Sequence, residues 1–571
     1  MVQWRSPVER GEVYVLVAGP AGAGVFASSV IIGKTLLRQG YHVFVTNEYP
    51  SLIRGGQQWA LVAASPRRPV YSHRRRVDVL LALDRGALLS NIGRLHEKAL
   101  ALCDTADAVN DPRVVALPVR DVVREEGGPP VAVNTVLVGV LFGMLGGDLG
   151  VLKGVIRGHF RSKEAAELNV RLAEKGYGIG LQLRGRFPVS VVSGGGSGGR
   201  LLIDGNSALA LGLLAGGLTF FAAYPMTPAS PILHFLAEVQ RDVGIVVFQP
   251  ESELAAINMA IGAAYAGARA AVATSGGGFS LMVEALGQAA MTETPIVIVN
   301  VQRPGPSTGM PTHTAQGDLR FVIHASQGEF PRVVLAPGSP GEAYELGCRA
   351  LNLAWKYQVP VIVLMDKFLA ESYWTTESLP PLGPEEGSVW RGGTNEPYAR
   401  YRITETGVSP MAFPGTPGAL VYANTSEHDE YGFGTIDPKT VRAMQEKRFR
   451  KLSTIQKEAE SEGVRTYGDG AIAVATWGST TMVVREAMQE LEGVKLVQVV
   501  WLEPFPRESF AREVGARRLL VVENNMRGQL ASLIREHVLR EPDGFLGRYD
   551  GRPLDPEEVV EFVRSFAARG G

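Results

Sequence analysis

The sequence predicts an α/β protein, and three observations lead to this prediction. Short apolar runs rich in Val and Ile, typical of buried strands, alternate with segments whose apolar residues have helical spacing. This alternation begins near residue 12, restarts near residue 206 and restarts again near residue 471. Residues 193–199 read Ser-Gly-Gly-Gly-Ser-Gly-Gly, the composition of a flexible linker. We therefore expect three α/β domains.

The first predicted domain covers residues 1–192 and opens with a strand, a glycine-rich turn and a helix. This order is typical of an α/β unit, and two later apolar runs are expected to add parallel strands to a doubly wound sheet. The run 131–147 contains glycine and Asn134, which favours a buried helix over a membrane span. The predicted elements are strands Glu12–Ala18, Tyr41–Thr46 and Val77–Leu83, turn Gly19–Gly24 and helix Val25–Leu37.

Residues 193–200 are predicted to link this domain to a second α/β domain at 201–386, followed by a connecting arm at 387–466. The arm is rich in Gly, Pro and Tyr and ends in the charged helix Pro438–Glu462. A third, smaller α/β domain is predicted at 467–571. Strands are predicted at Thr219–Ala223, Gly244–Phe248, Ala270–Thr274, Pro295–Val301, Pro360–Met365, Ala471–Trp477, Val494–Val500 and Arg518–Glu523, and helices at Asn206–Ala215, Ser252–Tyr265, Thr480–Leu491 and Arg527–Leu539.

The composition excludes several classes of protein. The chain has 571 residues, of which 45% are hydrophobic and 20% charged, and its formal net charge is −1. That balance is typical of a globular protein and gives no sign of nucleic-acid binding. The N-terminus shows no signal-peptide pattern, so we expect a cytoplasmic protein with no membrane association.

Metal and disulfide chemistry are not expected of this chain alone. Only Cys103 and Cys348 occur, so neither a disulfide framework nor a cluster held by four thiolates can form within it. Residues 428–430, His-Asp-Glu, lack helical ligand spacing and are predicted to form a polar loop. We therefore predict no metal site in the chain.

Two segments of the second domain are candidates for chemistry. In residues 224–230, Tyr-Pro-Met-Thr-Pro-Ala-Ser, two prolines bracket Met226 and Thr227 and favour a rigid turn that presents the Thr227 hydroxyl. In residues 249–253, Gln-Pro-Glu-Ser-Glu, two acids precede a helix rich in small apolar residues. An acid in the first helical turn ordinarily complements the helix dipole, so Glu251 and Glu253 become catalytic candidates only in a suitable context.

That context comes from two further segments. Residues 273–282 read Ala-Thr-Ser-Gly-Gly-Gly-Phe-Ser-Leu-Met, and three glycines after a strand indicate a turn that a ligand can approach closely. Residues 301–313 form a Gly- and Pro-rich loop that contains Arg303 and ends in His313. By itself Arg303 is more often a partner in a structural ion pair than a ligand.

Together these segments resemble the alpha portion of 2-oxoacid:ferredoxin oxidoreductases. Residues 224–228 match the family's Tyr-Pro-Ile-Thr-Pro motif, with Met226 in place of Ile. Other signatures resemble the family's separate gamma subunit, here fused ahead of the alpha portion, and its alpha subunit. The resemblance implies a Rossmann-like gamma domain, a thiamin pyrimidine-binding domain and a transketolase-C-like C-terminal domain. The gamma-like signatures are residues 22–24, 48–50 and 54–56, and the alpha-like ones are residues 427–430, 503–506 and 523–530.

The resemblance also implies roles for individual residues. Glu253 would stabilise the protonated aminopyrimidine ring of thiamin diphosphate, with Glu251 as the second candidate. Thr227 would act on substrate and cofactor, and Arg303 or His313 would orient the substrate carboxylate. Family members often have Arg where this chain has His313, and a neutral imidazole cannot replace a bidentate guanidinium. The cofactor-lining residues would be Tyr224, Pro225, Met226, Glu253, Gly276, Gly277, Gly278 and Phe279.

Only one half of a thiamin diphosphate site is recognisable, which implies a partner chain. A smaller beta subunit would hold the diphosphate end through Mg and carry a [4Fe-4S] cluster. Coenzyme A would take the acyl group of the 2-oxoacid, and ferredoxin would take the electrons. Two other functions remain open, namely an NAD(P)-dependent dehydrogenase built on the glycine turn at 19–24 and a non-catalytic assembly subunit. The identity of the 2-oxoacid is also left open.

Overall fold

The computed structural model describes residues 11–50, 56–188, 191, 196–392 and 397–568. These residues fall into two units. The first ends at Asp204 and also takes in Glu371–Ser378 and Asp555–Glu557, and the second contains the remainder. Part of the predicted linker, residues 193–195, and the gamma-like residues Arg54 and Gly55 lie outside the described residues.

Strands and helices alternate along most of the chain. The strands are β1 Val13–Pro20, β2 His42–Glu48, β3 Gln57–Ser65, β4 Val77–Ala82, β5 Leu95–Asp104, β6 Val114–Leu117, β7 Leu201–Asp204, β8 Phe220–Ala222, β9 Val246–Phe248, β10 Ala270–Thr274, β11 Ile296–Gln302, β12 Val333–Leu335, β13 Pro360–Asp366, β14 Tyr373–Thr376, β15 Val464–Tyr467, β16 Ile472–Thr476, β17 Val494–Val499, β18 Trp501–Glu503, β19 Arg518–Glu523 and β20 Gly544–Gly547. The helices are α1 Val25–Arg38, α2 Arg85–Asn91, α3 Val119–Glu125, α4 Val133–Leu145, α5 Leu149–His159, α6 Lys163–Leu181, α7 Gly205–Ala215, α8 Ser230–Val243, α9 Glu253–Tyr265, α10 Gly276–Met291, α11 Leu319–Ile323, α12 Pro340–Tyr357, α13 Lys367–Glu371, α14 Pro438–Glu462, α15 Thr480–Ala487, α16 Arg507–Val514, α17 Gln529–Val538 and α18 Pro556–Ala568.

The first unit is built on an eight-stranded sheet in the order β6-β5-β4-β1-β3-β2-β14-β7. Strands β6, β5, β4 and β1 are parallel, but β3 lies antiparallel between β1 and β2. The prediction that Tyr41–Thr46 pairs in a parallel sheet was therefore wrong, because β2 has only antiparallel neighbours. Strand β3 was not predicted, since its Gln- and Ala-containing sequence has low strand propensity.

The apolar run 131–147 forms the buried helix α4, as predicted. Helix α6 packs closely against α4 at Ala173, Tyr177 and Gly180. A Cβ at Gly139 or Gly143 would lie only 2.2 Å from a backbone oxygen of α6. None of the helices in the described part of the chain combines the length and apolar character that crossing a bilayer requires.

The second unit contains two sheets. The larger has the order β18-β12-β13-β11-β10-β8-β9 and is parallel except for β18, and the smaller has the order β15-β17-β16-β19-β20 and is parallel except for β15. One buried apolar cluster joins both sheets, from Ala222 and Val272 to Val497 and Val521. The α/β fold class with three sheets is thus confirmed. The predicted domain boundaries stay a prediction, and β7, which we placed in the second domain, pairs within the first sheet.

The end of the connecting arm is fixed to the second unit by a buried ion cluster. Lys447 and Lys451 of α14 donate to the two carboxylate oxygens of Glu293, at 2.6 and 2.5 Å. All three side chains are at most 1% exposed. Burial by itself would raise the pKa of Glu293, but the two ammonium groups hold it well below its usual range. Because Glu293 follows Thr292, the C-cap residue of α10, this cluster also fixes the far end of that helix.

Candidate active site

The candidate site lies at the carboxyl ends of four parallel strands of the larger sheet in the second unit. The loops and helices that follow β8, β9, β10 and β11 carry the four segments singled out in the sequence. Crevices at this edge of a parallel sheet are the usual place for ligands in α/β proteins. The topology therefore brings together segments that are up to about 90 residues apart in the chain.

The loop after β8 is a rigid turn, as predicted. The N–H groups of Ala229 and Ser230 donate to the carbonyl oxygen of Met226, at 2.8 and 3.1 Å. Asn206 donates to the carbonyl oxygen of Pro228 at 3.0 Å and ties the turn to α7. Tyr224 and Pro225 are exposed, whereas Met226 and Thr227 are half-buried.

The two candidate acids after β9 have opposite environments. Glu251 is exposed, whereas Glu253, the first residue of α9, is only 4% exposed. Ser252 caps the helix by accepting a hydrogen bond from the N–H of Ala255 at 3.2 Å, which fixes the start of α9 and the position of Glu253. The Oε1 atom of Glu253 is buried and has no hydrogen-bond partner among the described residues.

The three glycines after β10 form the first turn of α10 rather than an isolated turn. They let other side chains approach the helix closely. A Cβ at Gly278 would lie 2.0 Å from Oγ1 of Thr274 and 2.8 Å from Oε1 of Glu253. Glycine at 278 is therefore required for Glu253 to occupy its buried position. The Ser275 hydroxyl just before the helix is also buried without a partner among the described residues.

A cavity of about 590 Å³ opens beside this turn, a volume typical of small-molecule sites. Four predicted site residues line it, namely Met226, Gly276, Gly277 and Arg303. The other seven predicted site residues are not among its lining residues, namely Tyr224, Pro225, Thr227, Glu253, Gly278, Phe279 and His313. The remaining lining residues are Ser280, Pro304, Gly305, Pro306, Ser307, Thr308, Asp318 and Phe321.

Arg303 sits where β11 ends and reaches the first loop. Its Nη1 donates to the carbonyl oxygen of Thr227 at 2.6 Å, which links two of the predicted substrate residues. Within the described residues its other guanidinium nitrogens make no hydrogen bond or ion pair, so they remain available to a ligand in the cavity. Burial lowers the pKa of Arg303 below its ordinary value, although the nearby Asp318 opposes this shift.

His313 lies in a different setting. Its N–H donates to the carbonyl oxygen of Met310 at 3.1 Å, and its Nδ1 lies 3.3 Å from the Thr312 hydroxyl. Its Cβ is close to Gly551 of the C-terminal part of the unit. The structure thus places Arg303, and not His313, in the cavity wall.

Asp318 is the site residue that the sequence analysis missed. It follows Gln-Gly in a loop without a recognisable motif, and only the fold carries it to the cavity. Its Oδ2 accepts a hydrogen bond from Asn300 of β11 at 3.2 Å. Burial raises the pKa of Asp318 to about 6, although Asn300 and Arg303 oppose the shift.

The residues present fit the aminopyrimidine half of a thiamin diphosphate site. A buried carboxylate oxygen without a partner normally costs free energy, so Glu253 calls for a ligand that donates a hydrogen bond or carries positive charge. Gly277 leaves space on the cavity side of the same helical turn, since a Cβ there would meet only the Ser307 carbonyl oxygen, at 3.9 Å. In the described part of the chain, no cluster of His, Cys, Asp and Glu is arranged to hold a metal ion.

Known proteins match this chain over nearly its whole length. The family model described as "Pyruvate flavodoxin/ferredoxin oxidoreductase, thiamine diP-bdg" matches residues 211–447, and "Pyruvate ferredoxin/flavodoxin oxidoreductase" matches residues 14–179. The 2-oxoacid:ferredoxin oxidoreductase subunit alpha of Saccharolobus solfataricus is 34% identical over 97% of this chain and 98% of its own. A subunit alpha from Aeropyrum pernix is 31% identical over 98% of both chains.

A solved structure shows the same architecture. The 2-oxoglutarate:ferredoxin oxidoreductase from Magnetococcus marinus, solved with 2-oxoglutarate, coenzyme A and succinyl-CoA bound, superimposes with a TM-score of 0.90 and 32% sequence identity. The match covers 97% of this chain and 99% of that one. Sequence and structure agree, and the chain belongs to the alpha-subunit family of 2-oxoacid:ferredoxin oxidoreductases.

Proposed function

We propose that this chain, together with a smaller partner subunit, converts a 2-oxoacid and coenzyme A into an acyl-CoA and carbon dioxide and passes two electrons to ferredoxin. The names of the relatives support this reaction class. The substrate, co-substrate and product held by the Magnetococcus marinus enzyme support the use of coenzyme A.

The observation that carries the proposal is the buried, unpartnered Oε1 of Glu253. When bound, thiamin diphosphate supplies an acidic carbon that adds to the 2-oxoacid carbonyl and a ring that accepts the electron pair released with carbon dioxide. Glu253 would hold the proton-bearing ring nitrogen of the aminopyrimidine and favour its protonated form. The exposed Glu251 is a poorer candidate, because water would screen its charge.

We assign the substrate carboxylate to Arg303. The guanidinium lines the cavity, is held at one nitrogen by the Thr227 carbonyl and keeps its other N–H groups for a ligand. A planar guanidinium matches a carboxylate in a bidentate pair. The Thr227 hydroxyl would lie beside the same group, since its own backbone carries the contact to Arg303.

The diphosphate, its Mg ion and the [4Fe-4S] cluster are assigned to the smaller partner. Cys103 and Cys348 are both buried free thiols of the two units, so they offer no cluster ligands. An apolar surface borders the site at the edge strand β9 and on α9, where four side chains are each between 40% and 56% exposed. Such a surface next to an unpaired strand edge is typical of an interface. Its members are Val246, Phe248, Leu254 and Met259.

The test is to produce the chain alone and together with the proposed smaller subunit. We expect only the complex to hold iron, sulfide and tightly bound thiamin diphosphate, and to form acyl-CoA with reduction of ferredoxin. Reduction of NAD⁺ in place of ferredoxin would favour the nicotinamide-dependent alternative. Stoichiometric iron and sulfide in the chain purified alone would contradict the assignment of the cluster to the partner.

A further inference from the structure

Asp318 stands in the cavity wall through contacts that β11 provides. Its N–H donates to Oε1 of Gln302 at 2.9 Å, and its Oδ2 accepts from Nδ2 of Asn300 at 3.2 Å. Both partners are fully buried polar residues of β11, the strand that ends beside Arg303. One strand therefore fixes the positions of both charged groups.

Helix α10 is shaped to receive the Asp318 carboxyl group. A Cβ at Gly276 would lie 2.5 Å from Oδ2 of Asp318 and 3.2 Å from Cγ and Oδ1. A residue with a side chain at 276 would push the carboxyl group out of this position. The contacts with β11 and α10 thus hold the Asp318 carboxyl group in a defined position in the cavity wall.

Arg303 and Asp318 are the two charged residues among those that line the cavity. They form no ion pair in the described part of the chain, where Arg303 donates to Thr227 instead. Arg303 is the charged residue whose electric field acts on Asp318. The other groups that touch Asp318, from β11 and α10, are neutral. Because its pKa is raised to about 6, Asp318 is ionised at neutral pH and brings the formal charge of the cavity wall to zero.

We propose that Asp318 is a positioning residue that acts through Arg303, weakening its hold on the substrate carboxylate so that this group can leave as carbon dioxide. This inference rests on the proposed function and adds a role for a residue to which no role has been assigned.

The physical reason lies in the charge that decarboxylation removes. The bond between the carboxylate carbon and the former carbonyl carbon breaks, and the thiamin ring bonded to that carbon would accept the electron pair. The negatively charged carboxylate leaves as neutral carbon dioxide. An arginine that binds the carboxylate more strongly than the developing carbon dioxide therefore slows the step. A second carboxylate fixed beside the cavity destabilises the charged substrate more than the transition state and offsets that effect.

Asp318→Asn in the complete complex tests the role. The amide keeps the shape of the side chain and can still accept from Asn300, so only the charge is lost. At pH 8 we expect kcat to fall at least about tenfold while KM for the best 2-oxoacid falls at least about threefold. Oxamate, a carboxylate analogue that does not decarboxylate, should bind at least about threefold more tightly. Asp318→Ser, which also removes the charge, should change oxamate binding in the same direction.

The pH dependence provides a second readout. Asp318 of the native complex becomes protonated as the pH falls through about 6, so native and Asp318→Asn complexes should converge in oxamate affinity at pH 5. The matched control is Asp242→Asn, an exposed acid of α8, which should change neither constant.

Three results would overturn the inference. A raised KM together with a lowered kcat in both variants indicates ordinary structural damage. If the folded variants bind oxamate with native affinity, Asp318 has no electrostatic effect on the bound carboxylate. The proposed function stays intact in that case, provided that the native complex turns over 2-oxoacids. If the native complex turns over no 2-oxoacid, both the proposed function and this inference fail.

Discussion

Arg303 connects the loop after β8 with the cavity, and its remaining donors decide how a substrate can be held. The guanidinium is tied at one nitrogen to the Thr227 carbonyl, which limits its orientations without using up its bonding capacity. His313, the other candidate for binding the substrate carboxylate, lies beside Gly551 instead. We therefore propose Arg303, and not His313, as the carboxylate clamp, meaning the residue that binds the substrate carboxylate.

Alanine substitutions distinguish the two candidates for the clamp. Arg303→Ala removes a bidentate partner, so KM for the best 2-oxoacid should rise at least about thirtyfold, as expected for loss of a charge-assisted pair. His313→Ala should leave KM within about twofold. Steady-state kinetics of the complex measures both, and the opposite pattern would move the clamp to His313.

The Asp318 carboxyl group should also affect stability in a pH-dependent way. Its pKa in the folded chain, about 6, is above its ordinary value of 3.8, so the folded state binds more protons than the unfolded state between these values. Stability is therefore lost as the pH rises through about 6. We expect Asp318→Asn to raise the midpoint of thermal unfolding by roughly 1 to 3 °C at pH 8.

The same substitution should have a smaller effect at pH 4, where the native carboxyl group is protonated. Calorimetry at both pH values checks this expectation. An equal shift at both would show that the carboxyl group is not destabilised by burial.

Helix α10 organises the site, because its first turn contacts both acids. Its first turn consists of three glycines with different surroundings. Gly276 faces Asp318, Gly278 faces Glu253, and Gly277 has only the Ser307 carbonyl oxygen nearby. Its far end is held by Glu293 and the two lysines of α14. The helix thus fixes the spacing between the buried acid and the cavity wall.

Two alanine substitutions one residue apart test this geometry. Gly278→Ala places a Cβ 2.0 Å from Oγ1 of Thr274 and 2.8 Å from Oε1 of Glu253, so it should lower stability by about 1–3 kcal/mol and 2-oxoacid turnover at least about tenfold. Gly277→Ala, whose nearest neighbour is the Ser307 carbonyl oxygen at 3.9 Å, should keep or slightly raise stability, since alanine favours helix. Equal losses in both variants would contradict the close packing at Gly278.

The sequence patterns predicted the bounds of strands and helices better than they predicted which strands pair in a sheet. Strands Ala270–Thr274 and Arg518–Glu523 and helix Pro438–Glu462 were predicted with the bounds observed, because their apolar or charged patterns are sharp. Strand β3 was missed because of its weak strand propensity, and with it the antiparallel pairing of β2.

Site residues in recognisable motifs could also be predicted from the sequence, whereas a residue positioned only by the fold could not. Glu253 and Arg303 stand in recognisable motifs, and the structure buries the first and places the second in the cavity wall. Asp318 has no local signal, because its role arises from contacts with Asn300, Gln302 and Gly276 that only the folded sheet and helix bring together. Burial also separates Glu253 from Glu251, which are two residues apart in the chain.

In the proposed function, a second chain supplies part of the reaction machinery. The second unit offers a buried acid, a cavity with one cation and one acid, and an apolar surface at β9 and α9. The family relationship covers both units, from residue 14 to residue 447 in the family models and almost the full length in the relatives. The proposed function therefore requires Glu253 to act on a cofactor that a second chain helps to hold.

Exchange of the C2 proton of bound thiamin diphosphate with deuterium, measured by NMR after acid quenching of the complete complex, tests whether Glu253 activates the cofactor. We expect Glu253→Gln to slow the exchange by at least about a hundredfold, since the amide cannot favour the protonated aminopyrimidine, while cofactor and iron contents stay near native values. The exposed neighbour provides the matched control, and Glu251→Gln should exchange at the native rate. Native exchange in Glu253→Gln, or a loss confined to Glu251→Gln, would contradict the assignment of Glu253 as the activating acid.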